Sequence, residues 1–247
     1  MTIVSHRHKY IFLKTRKTAG TSVEALLAKY AGPDDILAIS HDVTDNTTLS
    51  TQNTETARHS VGISGARRYV IRALQQKRIT ATLGFHQHMT AKEVKEAVRP
   101  DIWNNYTKMT IERNPYDRLI SFWRWRTGWF QLDIPFESFA LSALSANPWN
   151  RVKNKSHGFS NRPFYKFPTN KSICVDHVIP YENLESGLEK VAAIVGIPEG
   201  EVSKGIPTFK GSGSRYDLEQ YYTDKVRSVA EKKFAFEAEV FDYKYSY

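Results

Sequence analysis

The sequence contains the same order of elements twice: a short apolar strand, a turn with basic residues, and an amphipathic helix. In the first copy, the apolar run of residues 10–13 is followed by the turn of residues 14–21. The predicted helix has apolar residues at positions i, i+3, i+4 and i+7, namely Val23, Leu26, Leu27 and Tyr30. Gly32 and Pro33 follow as helix-ending signals. Turns of this kind are where α/β sheets place their ligand sites.

The second copy has its strand at residues 108–112. Asn114 is placed to cap the next helix, and Pro115 suits the first helical position. A further strand and helix are predicted within residues 172–196, and a C-terminal helix is predicted after Thr223 as N-cap. Strands that alternate with helices predict an α/β fold, with a central parallel β-sheet flanked by helices on both faces.

The sequence between the two copies is less regular. Residues 41–65 are polar with little periodicity, which predicts a long surface loop. A helix is predicted at residues 66–77 and a strand at residues 79–85. Thr90 and Glu93 then form a T-x-x-E capping box, which predicts the start of another helix.

The composition is that of a globular protein with one large core. The chain has 247 residues, of which 40% are hydrophobic. The two copies share an order of elements but not a repeated sequence, and neither a sequence repeat nor a charged linker indicates a second domain. Lys and Arg number 35 against 26 Asp and Glu, so the formal net charge is +9. This excess favours anionic partners, which include nucleotides, acidic sugars, nucleic acid and membrane surfaces.

The chain has a single cysteine, Cys174. This excludes an internal disulfide and a cysteine-cluster metal site, and it fits a reducing compartment. The apolar neighbours Ile173 and Val175 predict a buried strand residue rather than a nucleophile. The longest apolar runs are too short for a signal-peptide core or a membrane span, so we expect a soluble, cytoplasmic protein.

The first turn has the composition of an anion site. A helix N-terminus offers unpaired N–H groups and the positive end of a dipole, and small residues let an anion approach the backbone. The residues in question are Lys17, Thr18, Ala19, Gly20, Thr21 and Ser22. Their order differs from the Walker loop, in which the lysine follows the last glycine. A kinase or other P-loop-like nucleotide phosphotransferase therefore remains only an alternative.

The string KTAGTS at residues 17–22 resembles the 5′-phosphosulfate-binding loop of sulfotransferases that use 3′-phosphoadenosine 5′-phosphosulfate (PAPS). The resemblance is closest to the carbohydrate-sulfotransferase branch and its bacterial relatives. The family also has a 3′-phosphate motif, an arginine followed eight residues later by a serine, and Arg113 and Ser121 match it. A guanidinium suits a phosphate because it offers paired donors that are always charged. Alternatively, Arg113 only pairs with Asp117 at the helix start.

Further stretches resemble the same family. They are residues 178–184, the C-terminal helix, and the basic, Gly-rich residues 210–215, whose Lys210 and Arg215 are implied to close over the 3′ side of the nucleotide. The resemblance implies a single P-loop-NTPase-like domain over residues 1–247. It is weakest at residues 41–75 and 127–170, predicted to be acceptor-side loops and short helices.

The resemblance also implies roles for the residues of the first turn. Lys17 is assigned to the phosphosulfate bridge, with backbone N–H groups of residues 18–22 and the hydroxyls of Thr21 and Ser22 around the 5′-phosphate. Lys14 and Arg16 are further candidates for nucleotide binding. Many relatives have a proline where this chain has Arg16, which either contacts the substrate or faces solvent. Side chains that supply the positive charge make a metal unnecessary.

A base is needed to take the proton of an acceptor hydroxyl, and histidine suits that task. His86 and His88 lie between the two nucleotide motifs, where relatives carry a base histidine, and on an extended strand they would share a face. We favour His88 because it lies next to the capped helix. The pair could instead begin a metal site, although no third ligand is identifiable.

The sequence therefore predicts a cytoplasmic PAPS-dependent sulfotransferase that acts on a hydroxyl, with a carbohydrate as the predicted acceptor. The implied partner is a small molecule or glycan, with anionic acceptors among the candidates, and neither nucleic acid nor a membrane span is expected. Two alternatives are the phosphotransferase and a basic nucleic-acid-binding protein, the latter without support from a known motif.

Overall fold

The computed structural model describes residues 2–38, 47–54, 85–168, 172–198 and 216–245, together with residues 200, 202 and 206. The chain divides into two compact units. Unit 1 consists of Met1–Glu112 and Arg162–Lys210, and unit 2 consists of Arg113–Asn161 and Gly211–Tyr247. Each unit has a hydrophobic core of its own. The single-domain organisation stays a prediction.

Unit 1 contains a sheet that has five strands within the described residues. They are β1 (Thr2–Ser5), β2 (Tyr10–Leu13), β3 (Ile36–Leu37), β4 (Thr107–Glu112) and β5 (His177–Pro180). The strand order is β3-β1-β2-β4-β5.

The α/β fold class is confirmed, and the predicted parallel pairing holds for the β2–β4 and β4–β5 pairs. β1 differs, because it runs antiparallel to both β2 and β3 and makes the sheet mixed. The physical reason is the short connection between β1 and β2. A hairpin of a few residues joins antiparallel strands, whereas parallel strands need a long crossover.

Nine helices lie in the described part of the chain. They are α1 (Gly20–Ala28), α2 (Ala91–Ala97), α3 (Pro100–Asn105), α4 (Pro115–Phe130), α5 (Phe136–Leu144), α6 (Pro148–Lys153), α7 (Arg162–Tyr165), α8 (Leu184–Ile194) and α9 (Asp224–Phe241). Single 3₁₀ turns occur at Tyr181–Asn183 and Leu218–Gln220.

Three of the predicted helix starts are confirmed by their capping hydrogen bonds. At α2 the Thr90 hydroxyl accepts from the Glu93 N–H while the Glu93 carboxylate accepts from the Thr90 N–H, which completes the capping box. The Asn114 side chain caps α4 by accepting from the Tyr116 N–H at 3.0 Å. The Thr223 hydroxyl accepts the first-turn N–H of Val226 in α9.

The strand predicted around Cys174 is wrong in its extent, because β5 begins only at His177. Cys174 lies in irregular chain beside an isolated bridge at Ile173, and it is half-buried. Just before β5, the Asp176 carboxylate accepts a hydrogen bond from the Lys108 N–H of β4 at 2.7 Å. Partial burial raises the pKa of the Cys174 thiol to about 11, so the thiol is protonated at neutral pH.

Other predicted elements fall partly or wholly outside the described residues. These include most of the loop at residues 41–65, the helix at residues 66–77 and the strand at residues 79–85 except Phe85, which is buried. The stretch of residues 127–170 agrees with the prediction of loops and short helices, since the end of α4 is followed there by α5, α6 and α7.

The core of unit 2 is largely aromatic. The Tyr116 ring contacts the rings of Phe234, Tyr245 and Tyr222 with centroid distances of 5.0, 5.3 and 5.8 Å. The buried Arg118 lies over the Phe159 ring and donates to the Phe159 carbonyl at 2.6 Å. These contacts hold the first two turns of α4, the helix that begins directly after Asn114 and the predicted 3′-phosphate arginine.

Candidate active site

The loop between β2 and α1 has an unusual backbone. Lys17 and Ala19 have φ values of 62° and 56°, in the left-handed region that non-glycine residues seldom adopt. Ala19 is the N-cap of α1 without a side-chain hydrogen bond to the helix, and the first turn contains no acidic residue. Alternation of left-handed and other residues makes backbone concavities that bind anions, and the helix N-terminus adds to that capacity.

Side chains of the loop anchor it to β4. The Thr15 hydroxyl donates to the Ile111 carbonyl, and it lies 2.8 Å from the Thr18 hydroxyl. In the reverse direction, the Thr110 hydroxyl donates to the Leu13 carbonyl at 2.6 Å. Thr15 and Thr18 are buried. The loop is therefore held by its neighbour strand, and Thr18 faces the protein with its side chain and not an outside ligand.

Lys14 and Thr21 are engaged with each other and with α1. The Lys14 ammonium donates to the Thr21 hydroxyl at 3.0 Å and forms an ion pair with Glu24 at 2.6 Å. The side chains of Lys14 and Glu24 are 7% and 0% exposed. A Cβ atom on Gly20 would lie 2.7 Å from Lys14 Cγ, so glycine is needed for this close packing. The arrangement fixes the start of α1.

The other predicted loop residues lie nearer the surface. Arg16, Lys17, Ala19 and Ser22 are all half-buried. The guanidinium of Arg16 lies 5.2 Å from the centre of the Phe164 ring. Ser22 is in the first turn of α1, and its N–H donates to the Ala19 carbonyl at 2.9 Å.

His88 lies against this loop. Its Nδ1 is 3.3 Å from the Lys14 carbonyl oxygen, and because a carbonyl only accepts, Nδ1 carries the proton and Nε2 is the acceptor. The centroids of the His88 and Phe164 rings are 6.1 Å apart, and the two rings pack in a T-shaped arrangement. Burial, followed by neighbouring positive charges that include Arg16 and Lys14, lowers the pKa of His88 to about 2. His88 is therefore uncharged at neutral pH.

His86 has a different environment, since its Nδ1 lies 2.8 Å from the carbonyl oxygen of Gln87. The prediction that His86 and His88 share the face of an extended strand is wrong. His88 occupies a turn with φ of 57°, and period-two alternation does not apply to such a backbone.

The second motif lies in unit 2. The Arg113 guanidinium forms an ion pair with the Asp117 carboxylate one helical turn on, and it lies 5.9 Å from the centre of the Tyr216 ring. The other oxygen of Asp117 accepts from the Tyr216 N–H at 2.8 Å. The alternative in which Arg113 pairs with Asp117 is therefore realised. A guanidinium has five donors, so this pairing is compatible with phosphate binding.

Ser121 and Arg124 extend the motif along α4. With Asp117 they occupy positions i, i+4 and i+7, which share one face of a helix. Ser121 is half-buried, and the exposed Arg124 lies 5.5 Å from the centre of the Tyr216 ring. Unit 2 thus presents two arginines against one tyrosine ring, with a serine hydroxyl on the same helix face.

A comparison with protein-family models found that the sulfotransferase family model matches residues 1–244. The chain belongs to the sulfotransferase family. Membership in this family implies PAPS as the sulfuryl donor and a small acceptor substrate. Searches of the curated proteins and of the solved structures found no significant match.

Several partners of the sulfotransferase site are not predicted from the sequence. Phe164 and Tyr216 contact Arg16 and Arg113 from positions distant in the chain. Glu24 pairs with Lys14 from 10 residues further along the chain. Asp117 is an exception, because the sequence already indicates it as a partner of Arg113 four residues earlier. Lys210 and Arg215 lie outside the described residues.

The described part of this sulfotransferase contains no group of three or more His, Cys, Asp or Glu side chains that could hold a metal ion. In that part of the chain, the histidine pair at positions 86 and 88 has no third ligand for a metal site. Among the same residues, no helix is long and apolar enough to cross a bilayer.

Proposed function

We propose that this sulfotransferase moves the sulfuryl group of PAPS to an acceptor hydroxyl on a carbohydrate, by in-line transfer with His88 as base. The observation that carries the proposal is the left-handed loop at the N-terminus of α1, against which the His88 ring is held through the Lys14 carbonyl. We further propose one sulfotransferase domain, supported by the family match over residues 1–244, and a cytoplasmic location, supported by the single cysteine.

In this proposal the first loop binds the 5′-phosphosulfate. Lys17 carries the positive charge next to the bridging oxygen, where charge develops as the sulfuryl group leaves. Backbone N–H groups of residues 18–22 and the hydroxyls of Thr21 and Ser22 surround the 5′-phosphate, while the buried Thr18 hydroxyl stays 2.8 Å from the Thr15 hydroxyl. Lys14 acts through Glu24 to hold the helix start, and His86 is the alternative base.

The 3′-phosphate is assigned to Arg113 and Ser121. The Asp117 carboxylate orients the guanidinium, and Arg124 adds a second positive charge beside Tyr216. Lys210 and Arg215 are assigned to the 3′ side of the nucleotide by family resemblance. The charge-assisted hydrogen bonds of a guanidinium with phosphate are among the stronger ones in proteins.

The environment of His88 links donor binding to base strength. Burial and nearby positive charges lower the pKa of His88 to about 2. A bound anionic donor at the adjacent loop would offset those charges and raise this pKa, because an opposite charge favours the protonated imidazole. His88 then becomes a stronger base when PAPS is present, with Nε2 as the atom that takes the proton.

The test measures binding of 3′-phosphoadenosine 5′-phosphate (PAP) by calorimetry and turnover with PAPS. Lys17→Ala and Arg113→Ala should each weaken PAP binding at least about 10-fold, since each removes a charged donor worth roughly 1.5–3 kcal/mol. Lys29→Ala, at the exposed end of α1, is the matched control. Wild-type affinity in both site variants would overturn the assignment.

His88→Ala should keep PAP affinity and lose turnover. An active His88→Ala variant together with an inactive His86→Ala variant would identify His86 as the base. A thermal-shift comparison of PAP with ATP plus magnesium separates this function from a phosphotransferase. A panel of sugars, glycolipids and small phenols incubated with PAPS identifies the acceptor class.

A further inference from the structure

The short helix α6 lies at the surface of unit 2 with apolar side chains uncovered. None of its residues is buried, and Trp149 and Val152 are 78% and 49% exposed. The two residues are three positions apart, so they share one face of the helix. Tryptophan is highly buried on average in folded proteins. This face of α6 therefore lacks the cover that such side chains normally have.

The position of α6 is fixed although the helix adds no side chain to the core. The Asn147 side chain caps it by accepting from the Trp149 N–H at 2.9 Å. The Ser142 hydroxyl of α5 donates to the Asn150 carbonyl and lies 3.0 Å from the Ser156 hydroxyl. Ser142 and Ser156 are buried, so these hydrogen bonds tie α6 to α5 from the inside and leave its outer face in solvent.

Two more exposed aromatic side chains lie at the end of α4. Trp129 is 70% exposed and Phe130 is 42% exposed. The Arg126 guanidinium lies 5.7 Å from the centre of the Phe130 ring and donates to the His157 carbonyl at 3.1 Å. Because His157 follows α6 by four residues, this contact joins the last turn of α4 to the chain that leaves α6.

The charge around α6 is positive. Arg151 and Lys153 belong to the helix and Lys155 follows it, and both lysines are exposed. The sequence has no Asp or Glu from residue 138 to residue 175. The preceding acidic residue, Glu137, pairs with a lysine of α9. The segment around α6 therefore presents its positive charge without a neighbouring acidic residue of its own.

This combination of side chains is typical of contacts with a membrane surface. Tryptophan is enriched at the level of the lipid headgroups, where its ring meets both hydrocarbon and water. Helices that lie in this plane carry Lys and Arg on one face and Trp, Phe or Leu on the other, and anionic lipids attract the basic residues. An acidic polysaccharide would account for the charge, whereas a membrane also accounts for the exposed Val152 and Phe130.

We propose that α6 and the last turn of α4 bind the surface of a bilayer that contains anionic lipids. Trp149 and Trp129 enter the headgroup region, while the three basic residues in and after α6 contact the negatively charged headgroups. The inference goes beyond the proposed function, because it concerns the attachment of the protein to a surface and does not depend on sulfuryl transfer.

The binding test sediments the full chain with vesicles of phosphatidylcholine and with vesicles of equimolar phosphatidylcholine and phosphatidylserine. The wild type should bind the anionic vesicles at least about 10-fold more tightly, because each basic residue near such a bilayer raises the affinity about 5-fold. Combined replacement of Arg151, Lys153 and Lys155 by Gln should remove this preference. Trp149→Ser should weaken binding at least about 10-fold, since it removes a large inserted side chain.

The matched controls change exposed residues elsewhere on the protein. Ile194→Ser removes an apolar side chain that is 57% exposed on α8. The combined Lys29→Gln, Lys92→Gln and Lys190→Gln variant removes three charges from other exposed positions. Both controls should retain most of the binding to anionic vesicles. All variants should keep the melting temperature of the wild type, because none of the replaced side chains is buried.

Fluorescence provides a second readout that identifies the contacting residues. The chain has five tryptophans, of which Trp129 and Trp149 are exposed and the others are buried or half-buried. Brominated lipids quench a tryptophan that enters the bilayer. Quenching should be strong in the wild type and weak when Trp129→Phe and Trp149→Phe are combined, although this variant still binds. Undiminished quenching would place the bilayer contact elsewhere and contradict the inference.

Three further results would overturn the inference. The first is equal binding of the wild type to both kinds of vesicle, and the second is an equal loss of binding in the lysine control. The third is binding to heparin without binding to vesicles, which would identify an acidic polysaccharide as the ligand. Because these assays contain neither PAPS nor an acceptor, such results would leave the proposed sulfotransferase function unaffected.

Discussion

His88 combines a left-handed backbone with a ring held by the backbone of another segment. Its φ of 57° carries a conformational cost of about 1 kcal/mol or more for a residue with a Cβ. The Nδ1 contact with the Lys14 carbonyl and the ring contact with Phe164 offset this conformational cost. The Nδ1 contact also determines the tautomer. The residue is thus oriented before any substrate arrives.

The neutral state of His88 has a consequence for stability. Its folded-state pKa of about 2 lies below the value of 6.5 expected when unfolded, so the unfolded chain binds the proton more readily. The contribution of the neutral His88 to the free energy of unfolding is therefore complete above pH 6.5. It is lost progressively as the pH falls below that value. Between pH 7.5 and 5.5 the wild type should lose about 1 kcal/mol more than His88→Asn. Urea unfolding at both pH values measures this, and equal losses would contradict the low pKa.

Lys14 is predicted to matter for stability through Glu24. Lys14→Met leaves the fully buried Glu24 carboxylate without its ammonium partner. Removing one member of a buried pair costs about 3–5 kcal/mol, and we expect the lower end of that range in urea unfolding. Lys14→Met combined with Glu24→Gln should recover part of the loss.

The control is Lys92→Met, which breaks the exposed pair of Lys92 with Glu96. Exposed pairs of this kind contribute about 0.3–0.5 kcal/mol. A similar, small effect of both lysine substitutions would show that the Lys14–Glu24 pair does not hold the start of α1.

These residue contacts mark a limit of sequence reasoning. Motifs and spacing identify Lys17, His88, Arg113 and Ser121 as candidates. The Lys14–Glu24 pair depends on how the loop turns α1 back against the end of β2. The contacts of Phe164 with Arg16 and His88 depend on how separate segments pack. Neither is encoded in a local spacing. Glu24 is a common residue in a helix and Phe164 is a common residue in an apolar stretch, so neither residue type indicates a contact with the loop.

Among the elements, helix starts were the most predictable because a cap acts within four residues. The T-x-x-E box of α2 and the Asn-Pro start of α4 occur as the sequence indicates. β1 and β3 are not predicted, since their pairing depends on strands elsewhere. The α1 helix begins at Gly20, before the apolar pattern that starts at Val23, and a Cβ at Gly20 would lie only 2.7 Å from Lys14 Cγ.

The cap of α2 should contribute measurably to stability. Thr90→Ala removes the hydroxyl that accepts from the Glu93 N–H, and loss of such a cap costs about 1 kcal/mol. Thr90→Ser retains the hydroxyl and is the matched control. Urea unfolding should therefore give a lower free energy of unfolding for Thr90→Ala than for Thr90→Ser. Equal values would mean that the capping box does not contribute to stability. Because Thr90 is two residues from His88, turnover should fall in Thr90→Ala as well.

At the scale of the whole molecule, the chain passes from one unit to the other between Glu112 and Arg113. The first sulfotransferase motif belongs to unit 1 and the second to unit 2. Composition predicted enough apolar residues for a sizeable core, yet it could not indicate that they form two clusters. The division arises from contacts between distant segments, such as those of Tyr116 with Phe234 and Tyr245.

The hydrogen bonds that anchor the first loop to β4 bear on the order in which parts of the protein fold. The Thr110–Leu13 hydrogen bond joins residues 97 positions apart, whereas the β1–β2 hairpin closes locally. Long-range pairing is slow because loop closure must precede it, so the hairpin should form before the loop acquires its final backbone. PAP added during stopped-flow experiments should then slow unfolding and leave the refolding rate unchanged. An accelerated refolding rate would mean that the loop is already shaped in the transition state.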